Sequence, residues 1–112
     1  MTGSVIEYKP TKEQFAVECK FRNGLFPSTK INDYVLKWSY PEQIQRYNEF
    51  SKAKRIPVFI LVGLGGKPSS PKYCFCIPLA EAKYPELFPS VLEKHERFPK
   101  DRTFYWRNGV LK

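Results

Sequence analysis

Acid is scarce in this chain of 112 residues. Eleven Asp and Glu stand against nineteen Lys and Arg, giving a formal charge of +8. Histidine occurs once, at His95, so Ser/His or Cys/His nucleophilic catalysis would rest on that single ring. Its neighbourhood, "EKHER", reads as the solvated face of a helix. Three cysteines are odd in number, and no Cys/His spacing matches a zinc site. They read as reduced thiols, Cys19 as core filler and Cys74 with Cys76 on one face of a later strand. No apolar run approaches the roughly 20 residues of a membrane helix, and the N-terminus lacks a secretory pattern. A cytoplasmic location with no membrane partner is therefore expected. Repeats, linkers and low-complexity segments are also missing, which makes residues 1–112 one domain.

Hydrophobic residues make up 42% and aromatics 16%, nine Phe and seven Tyr among them, so the chain can bury itself. "SVIEY" (4–8) and "EQFAVECKF" (13–21) flank the turn-forming "KPTK" and predict a hairpin. "RNGLFPSTKIND" (22–33) is a loop, and "YVLKW" (34–38) a short strand or extended lead-in. In "SYPEQIQRYNEFSKAK" (39–54), Ser39 and Glu42 form the pattern of a capping box, and Ile44, Tyr47, Phe50 and Ala53 recur at helical spacing. "IPVFILVGL" (56–64) reads as a central strand buried on both faces. It is expected to pair antiparallel with "KYCFCIPL" (72–79) through "GGKPSSP". A helix over 89–98 and a strand with an Asn-Gly turn over 103–112 complete an α/β (α+β) domain on a mixed central sheet flanked by helices.

One stretch asks for chemistry. Alternation places Phe15, Val17, Cys19 and Phe21 on one strand face, and Gln14, Ala16, Glu18 and Lys20 on the other. An acid and a base then project side by side, roughly 6.6 Å apart along the strand. A solvated face bearing an ordinary ion pair, worth about 0–1 kcal/mol, carries the same signature. The following helix adds Gln43 and Tyr47 in the spacing Q-x-x-x-Y, which stacks them on one side.

A strand ending in E-x-K, a loop, a helix with Q-x-x-x-Y and then a buried strand resemble the PD-(D/E)XK nuclease superfamily. The likeness runs over residues 4 to 64. It points to the branch with a RecB-type Q-x-x-x-Y helix, alongside Holliday-junction resolvase-like and restriction-endonuclease-like members. The resemblance implies a restriction-endonuclease-like core and metal-dependent hydrolysis of phosphodiester bonds in DNA. It casts Glu18 as a carboxylate ligand of Mg2+ (or Mn2+), with the Cys19 main-chain carbonyl as a further oxygen ligand. Lys20 would orient the attacking water or stabilise developing charge, and Gln43 and Tyr47 would position the strand.

The family pattern also needs an acid on the preceding strand, and no Asp occurs before Asp33. A hairpin closed by residues 9 and 14 would put Glu7 opposite Ala16 and diagonal to Glu18, about 7 Å apart. Glu7 is then the candidate second ligand, unless it is a plain surface acid. A truncated chain, or a domain that has lost catalysis, would account for the missing Asp as well. Arg46, Lys52, Lys54 and Arg55, with Arg22 and Lys37, could line a phosphate path, or the helix cations simply complement its dipole. Trp38 and Trp106 are better explained by packing than by base stacking. Two further readings stay open. One is a catalytically inactive nucleic-acid-binding module on the same fold. The other is a protein-interaction domain, or homodimer, built on the aromatic "YPELFP" and "FYWRNG" segments.

Overall fold

A computed structural model of the chain describes residues 4–98 and 104–111. Strands β1 (Ser4–Tyr8) and β2 (Glu13–Arg22) form the predicted hairpin. Two short strands, β3 (Phe26–Pro27) and β4 (Tyr34–Lys37), lead to helix α1 (Pro41–Lys54). The long strands β5 (Val58–Lys67) and β6 (Ser70–Pro78) follow. A single 3-10 turn at Leu79–Glu81, strand β7 (Glu86–Leu87), helix α2 (Pro89–His95) and strand β8 (Glu96–Arg97) come next. A terminal hairpin of β9 (Trp106–Arg107) and β10 (Val110–Leu111) closes the described chain.

The main sheet runs β1-β2-β5-β6-β8. Only β2 and β5 are parallel, with Glu18 beside Ile60 and Lys20 beside Val62. The remaining pairs are antiparallel, so this is a mixed α/β domain with a mixed central sheet and two helices among the described residues. The parallel pair needs a crossover. The segment from β3 through α1 provides it, and thereby lays α1 against one face of the sheet.

That face carries the larger core. Ala16, Leu36, Trp38, Ile44, Tyr47, Ile60, Val62 and Ile77 are all buried there. The opposite face buries Phe15, Val17, Phe59 and Cys76 under the terminal hairpin. Trp106 stacks on Phe15 with ring centroids 4.3 Å apart. Both tryptophans are thus packing residues, Trp38 fully buried with its indole N–H donating to the Tyr84 carbonyl at 2.9 Å.

Several sequence expectations are corrected in detail. The Ala16–Glu18–Lys20 face of β2 points toward α1 and the larger core, not toward bulk water. Glu18 is 5% exposed and Lys20 half-buried. Cys19 is exposed rather than core filler. The capping box does not form: α1 begins with Tyr40 as N-cap, without a side-chain cap, and Pro41 in its first turn. Proline is tolerated there because the first-turn N–H has no intrahelical partner. The second helix stops at His95, because Glu96 and Arg97 pair with Phe75 and Cys74 of β6. His95 is not on a solvated face, since its Nε2 lies 3.1 Å from Glu81 Oε2 and its side chain is largely covered. The "GG" of "GGKPSSP" is hairpin backbone, as expected: Gly65 and Gly66 adopt φ of 71° and 70°, and a Cβ on Gly66 would meet the Ser70 carbonyl at 2.9 Å. The Asn-Gly turn is present, with Asn108 and Gly109 both at positive φ, as a two-residue hairpin of matching twist requires.

Candidate functional site

β2 and α1 approach at their polar residues. Lys20, one pleat beyond Glu18 on the same face, donates its Nζ to Gln43 Oε1 at 3.4 Å. Ser39 Oγ donates to the same oxygen at 2.5 Å. Two donors converging on one atom fix the orientation of the Gln43 amide and leave its NH2 as a donor. The Lys20 ammonium also stands 5.7 Å from the centroid of the Tyr47 ring, within cation–π range. Tyr47 is held in turn by stacking on Trp38, with centroids 5.9 Å apart.

The fold therefore brings Glu18, Lys20, Gln43 and Tyr47 to one side of the sheet, with Ser39 as a fifth member that the sequence reading missed. In the sequence Ser39 carries the signal of a helix cap, whereas its hydroxyl serves Gln43 instead. Lys20 carries three N–H donors, and only one is used on Gln43. The cluster can present an ammonium and an amide NH2 to an anionic ligand.

Glu7 does not join this site. The hairpin register sets Val5 opposite Ala16 and Glu7 opposite Gln14, two residues from the expected pairing. A slip of two preserves the face but not the position. Glu18 lies four residues beyond Gln14, roughly 13 Å along the strand, too far for one ion to bridge both carboxylates. Glu7 is also solvent-exposed. Among the described residues, no three His, Cys, Asp or Glu side chains come together to hold a metal ion. Cys19 projects its thiol to the other face of β2, so only its main-chain carbonyl remains as the oxygen the resemblance invoked.

The expected phosphate path divides. Arg22 is a strut: Nε donates to the Lys37 carbonyl at 2.9 Å, Nη2 to Trp38 at 2.6 Å and Nη1 to Phe21 at 2.7 Å. It fastens the end of β2 to the end of β4 and fixes the approach to α1. Lys37 is exposed, its Nζ 5.7 Å over the Phe26 ring. Arg46 is exposed on α1, one turn beyond Gln43. Lys52, Lys54 and Arg55 are exposed at the far end of α1, roughly 14 to 18 Å along the axis from Gln43 at 1.5 Å per residue. Those three complement the helix dipole and stand apart from the cluster. A further cation without any sequence signal, Lys30, lines a cleft beside Ser39.

One acid near this cleft is locked. Glu86 accepts from Ser28 Oγ at 2.6 Å, Thr29 Oγ1 at 2.7 Å and Thr29 N at 3.1 Å. Those hydrogen bonds, Ser28 first, lower its carboxyl to about 2, with a further contribution from the Lys37 charge. Ser28 Oγ in turn accepts from the amides of Lys30 and Ile31 at 2.9 and 3.0 Å. The 28–31 loop is thereby clipped to β7.

No protein-family model matches the chain, and neither does any curated protein sequence or solved structure.

Proposed function

We propose that this chain is a nuclease-like domain of the PD-(D/E)XK kind, with a restriction-endonuclease-like core, that engages the phosphodiester backbone of DNA at Glu18, Lys20, Gln43 and Tyr47. The observation that carries the reading is the 3.4 Å hydrogen bond from Lys20 to Gln43. Two short motifs, 23 residues apart and on different elements, meet at one point in the order the resemblance requires.

The chemistry of the chain's own groups agrees. Phosphodiester cleavage builds negative charge on the non-bridging oxygens, where a preorganised cation helps most. The Lys20 ammonium is preorganised by Gln43 and by the Tyr47 ring, so little reorganisation accompanies contact with a phosphate. The Gln43 NH2 can donate to an adjacent phosphate oxygen. Glu18, buried beside them, is the one acid of the cluster and supplies an oxygen ligand or a proton acceptor.

Magnesium or manganese is matched in kind and not in number. Such ions take hard oxygen ligands, and Glu18 is one, but among the described residues no three His, Cys, Asp or Glu side chains gather to hold an ion. They do not by themselves make a Mg2+ or Mn2+ site, and hydrolysis requires a further acid. The same shortage of ligands favours a second reading, a module on this fold that holds DNA without cutting it.

A nicking assay on supercoiled DNA with Mg2+ or Mn2+ separates the two. The nuclease reading, in which a further acid completes the site, expects cleavage that Lys20→Ala and Glu18→Gln each reduce by 10²-fold or more, the scale of losing one charge-stabilising group. Equal cleavage by wild type and both variants would remove the cluster from the chemistry. Salt-sensitive binding without cleavage, with a log–log slope near −0.9 per phosphate neutralised, would establish the second reading.

A further inference from the structure

Beside the Lys20–Gln43 pair, on the far side of Ser39, the surface opens into a cleft of about 620 Å3 between the β3–β4 region, the start of α1 and the segment around β7. Ser39 links the two places, lining the cleft while its hydroxyl donates to Gln43. The volume falls in the range of small-ligand sites. Two aromatic side chains contribute to its walls and remain largely open to solvent, Phe26 at 51% and Tyr40 at 70% exposure.

Tyr40 is an unusual choice for its position. It is the N-cap of α1 and makes no side-chain cap, where Ser, Thr, Asp or Asn would satisfy an orphan amide. Local rules broken without a local gain tend to mark functional positions. The charge around the cleft is one-sided as well. Arg22, Lys30 and Lys37 line it against the single acid Glu86, whose carboxylate is already occupied by Ser28 and Thr29.

We propose that this cleft is a subsite for an unpaired nucleobase of single-stranded or frayed DNA, stacked on Tyr40 and Phe26. Lys30 and Lys37 then meet the flanking phosphates, while the neighbouring phosphodiester lies at Lys20. Exposed rings next to cations are the means by which proteins hold single strands without reading sequence. A base paired within a duplex cannot enter a cleft without leaving its stack. The inference rests on the nuclease-like reading of the adjoining cluster and names the form of its substrate.

Fluorescence anisotropy tests it, using the full chain in EDTA, so that no cleavage intervenes. The probes are a fluorescein-labelled 12-mer single strand and the matching blunt duplex. The expected result is single-strand binding at least tenfold tighter than duplex binding. Tyr40→Ala and Phe26→Ala should each weaken single-strand binding about tenfold, as loss of one stacked base predicts, with duplex binding unchanged. Tyr40→Phe, which keeps the ring, should retain the preference. Equal affinity for the two forms would overturn the cleft subsite, as would a preference that survives Tyr40→Ala or is lost in Tyr40→Phe. In each of those cases Lys20→Ala, read on both probes, still reports on the backbone site alone. Absence of binding to either probe would overturn the subsite and the nuclease-like reading together.

Discussion

Lys20 and Gln43 meet across the boundary between sheet and helix, ammonium to amide oxygen at 3.4 Å. The same oxygen receives the Ser39 hydroxyl at 2.5 Å, so Gln43 holds the lysine while Ser39 holds Gln43. This ordering ranks the residues. On the nuclease reading, Lys20→Ala should reduce cleavage by 10²-fold or more, whereas Gln43→Ala, which leaves the ammonium but frees its position, should cost about tenfold. Tyr47→Phe keeps the ring under the lysine and should change cleavage little. Single-turnover rates with the variants on one labelled substrate measure that order. A Gln43→Ala loss equal to that of Lys20→Ala would contradict this ranking.

Glu18 is buried, and its influence is readable at its neighbour Cys19. The Cys19 thiol is pushed above its ordinary value of 9.0, first by desolvation and then by the negative charge of Glu18. Glu18→Gln removes the second contribution, lowers the thiol back toward 9.0 and raises the thiolate fraction near pH 8. Thiolate is the reactive form, and its gain outweighs the accompanying fall in intrinsic nucleophilicity. Iodoacetamide labelling of native Cys19, followed by mass spectrometry, should therefore run faster in Glu18→Gln than in wild type. Cys76, buried and pushed up to about 12, should label only when the chain unfolds. An unchanged Cys19 rate would remove Glu18 as a cause of the raised thiol.

Glu86 gives the fold a dependence on acid. Its carboxyl falls from an ordinary 4.5 to about 2 through its bonds to Ser28 and Thr29. A depressed carboxyl contributes stability that is fully present above about 4.5 and is lost as pH falls through about 2. Urea midpoints measured from pH 5 to pH 2 should decline over that window, and Glu86→Gln should flatten this part of the profile. The same substitution should loosen the 28–31 loop, seen as faster amide exchange at Lys30 and Ile31. Identical pH profiles for the two proteins would contradict the assignment.

Trp38 anchors the site from below. It is fully buried, donates to Tyr84 and stacks on Tyr47. Trp38→Ala should cost about 3–5 kcal/mol of stability, as removal of a buried aromatic does. Urea denaturation followed by circular dichroism checks this. A cost under about 1 kcal/mol would mean that the ring is not the support of Tyr47.

Much of the architecture was legible in the sequence for plain physical reasons. Alternation gave β1 and β2, the aliphatic run gave β5, and the spacing of Ile44, Tyr47 and Phe50 gave α1, each within a few residues of its observed bounds. The faces of β2 were harder. Glu18 and Lys20 look like a solvent side because charges normally seek water, yet the helix crosses over them and they become the polar lining of a buried cluster. Glu7 was misplaced because a hairpin slipped by two residues keeps every side chain on its face, so hydrophobic pattern alone cannot detect the error. The cleft left no local trace at all. Its walls come from the 26–40 segment and from Pro85 and Glu86, and the Ser28–Glu86 hydrogen bond that closes them spans 58 residues.

The most direct test of the central claim is a crystal structure of the chain with a short DNA strand bound in the presence of Ca2+. The account predicts a phosphate oxygen within about 3 Å of Lys20 Nζ, hydrogen-bond distance for a charged donor, with Gln43 beside it. DNA seated on another surface, such as the exposed β1 edge or the cations at the end of α1, with Lys20 still turned only to Gln43, would contradict it.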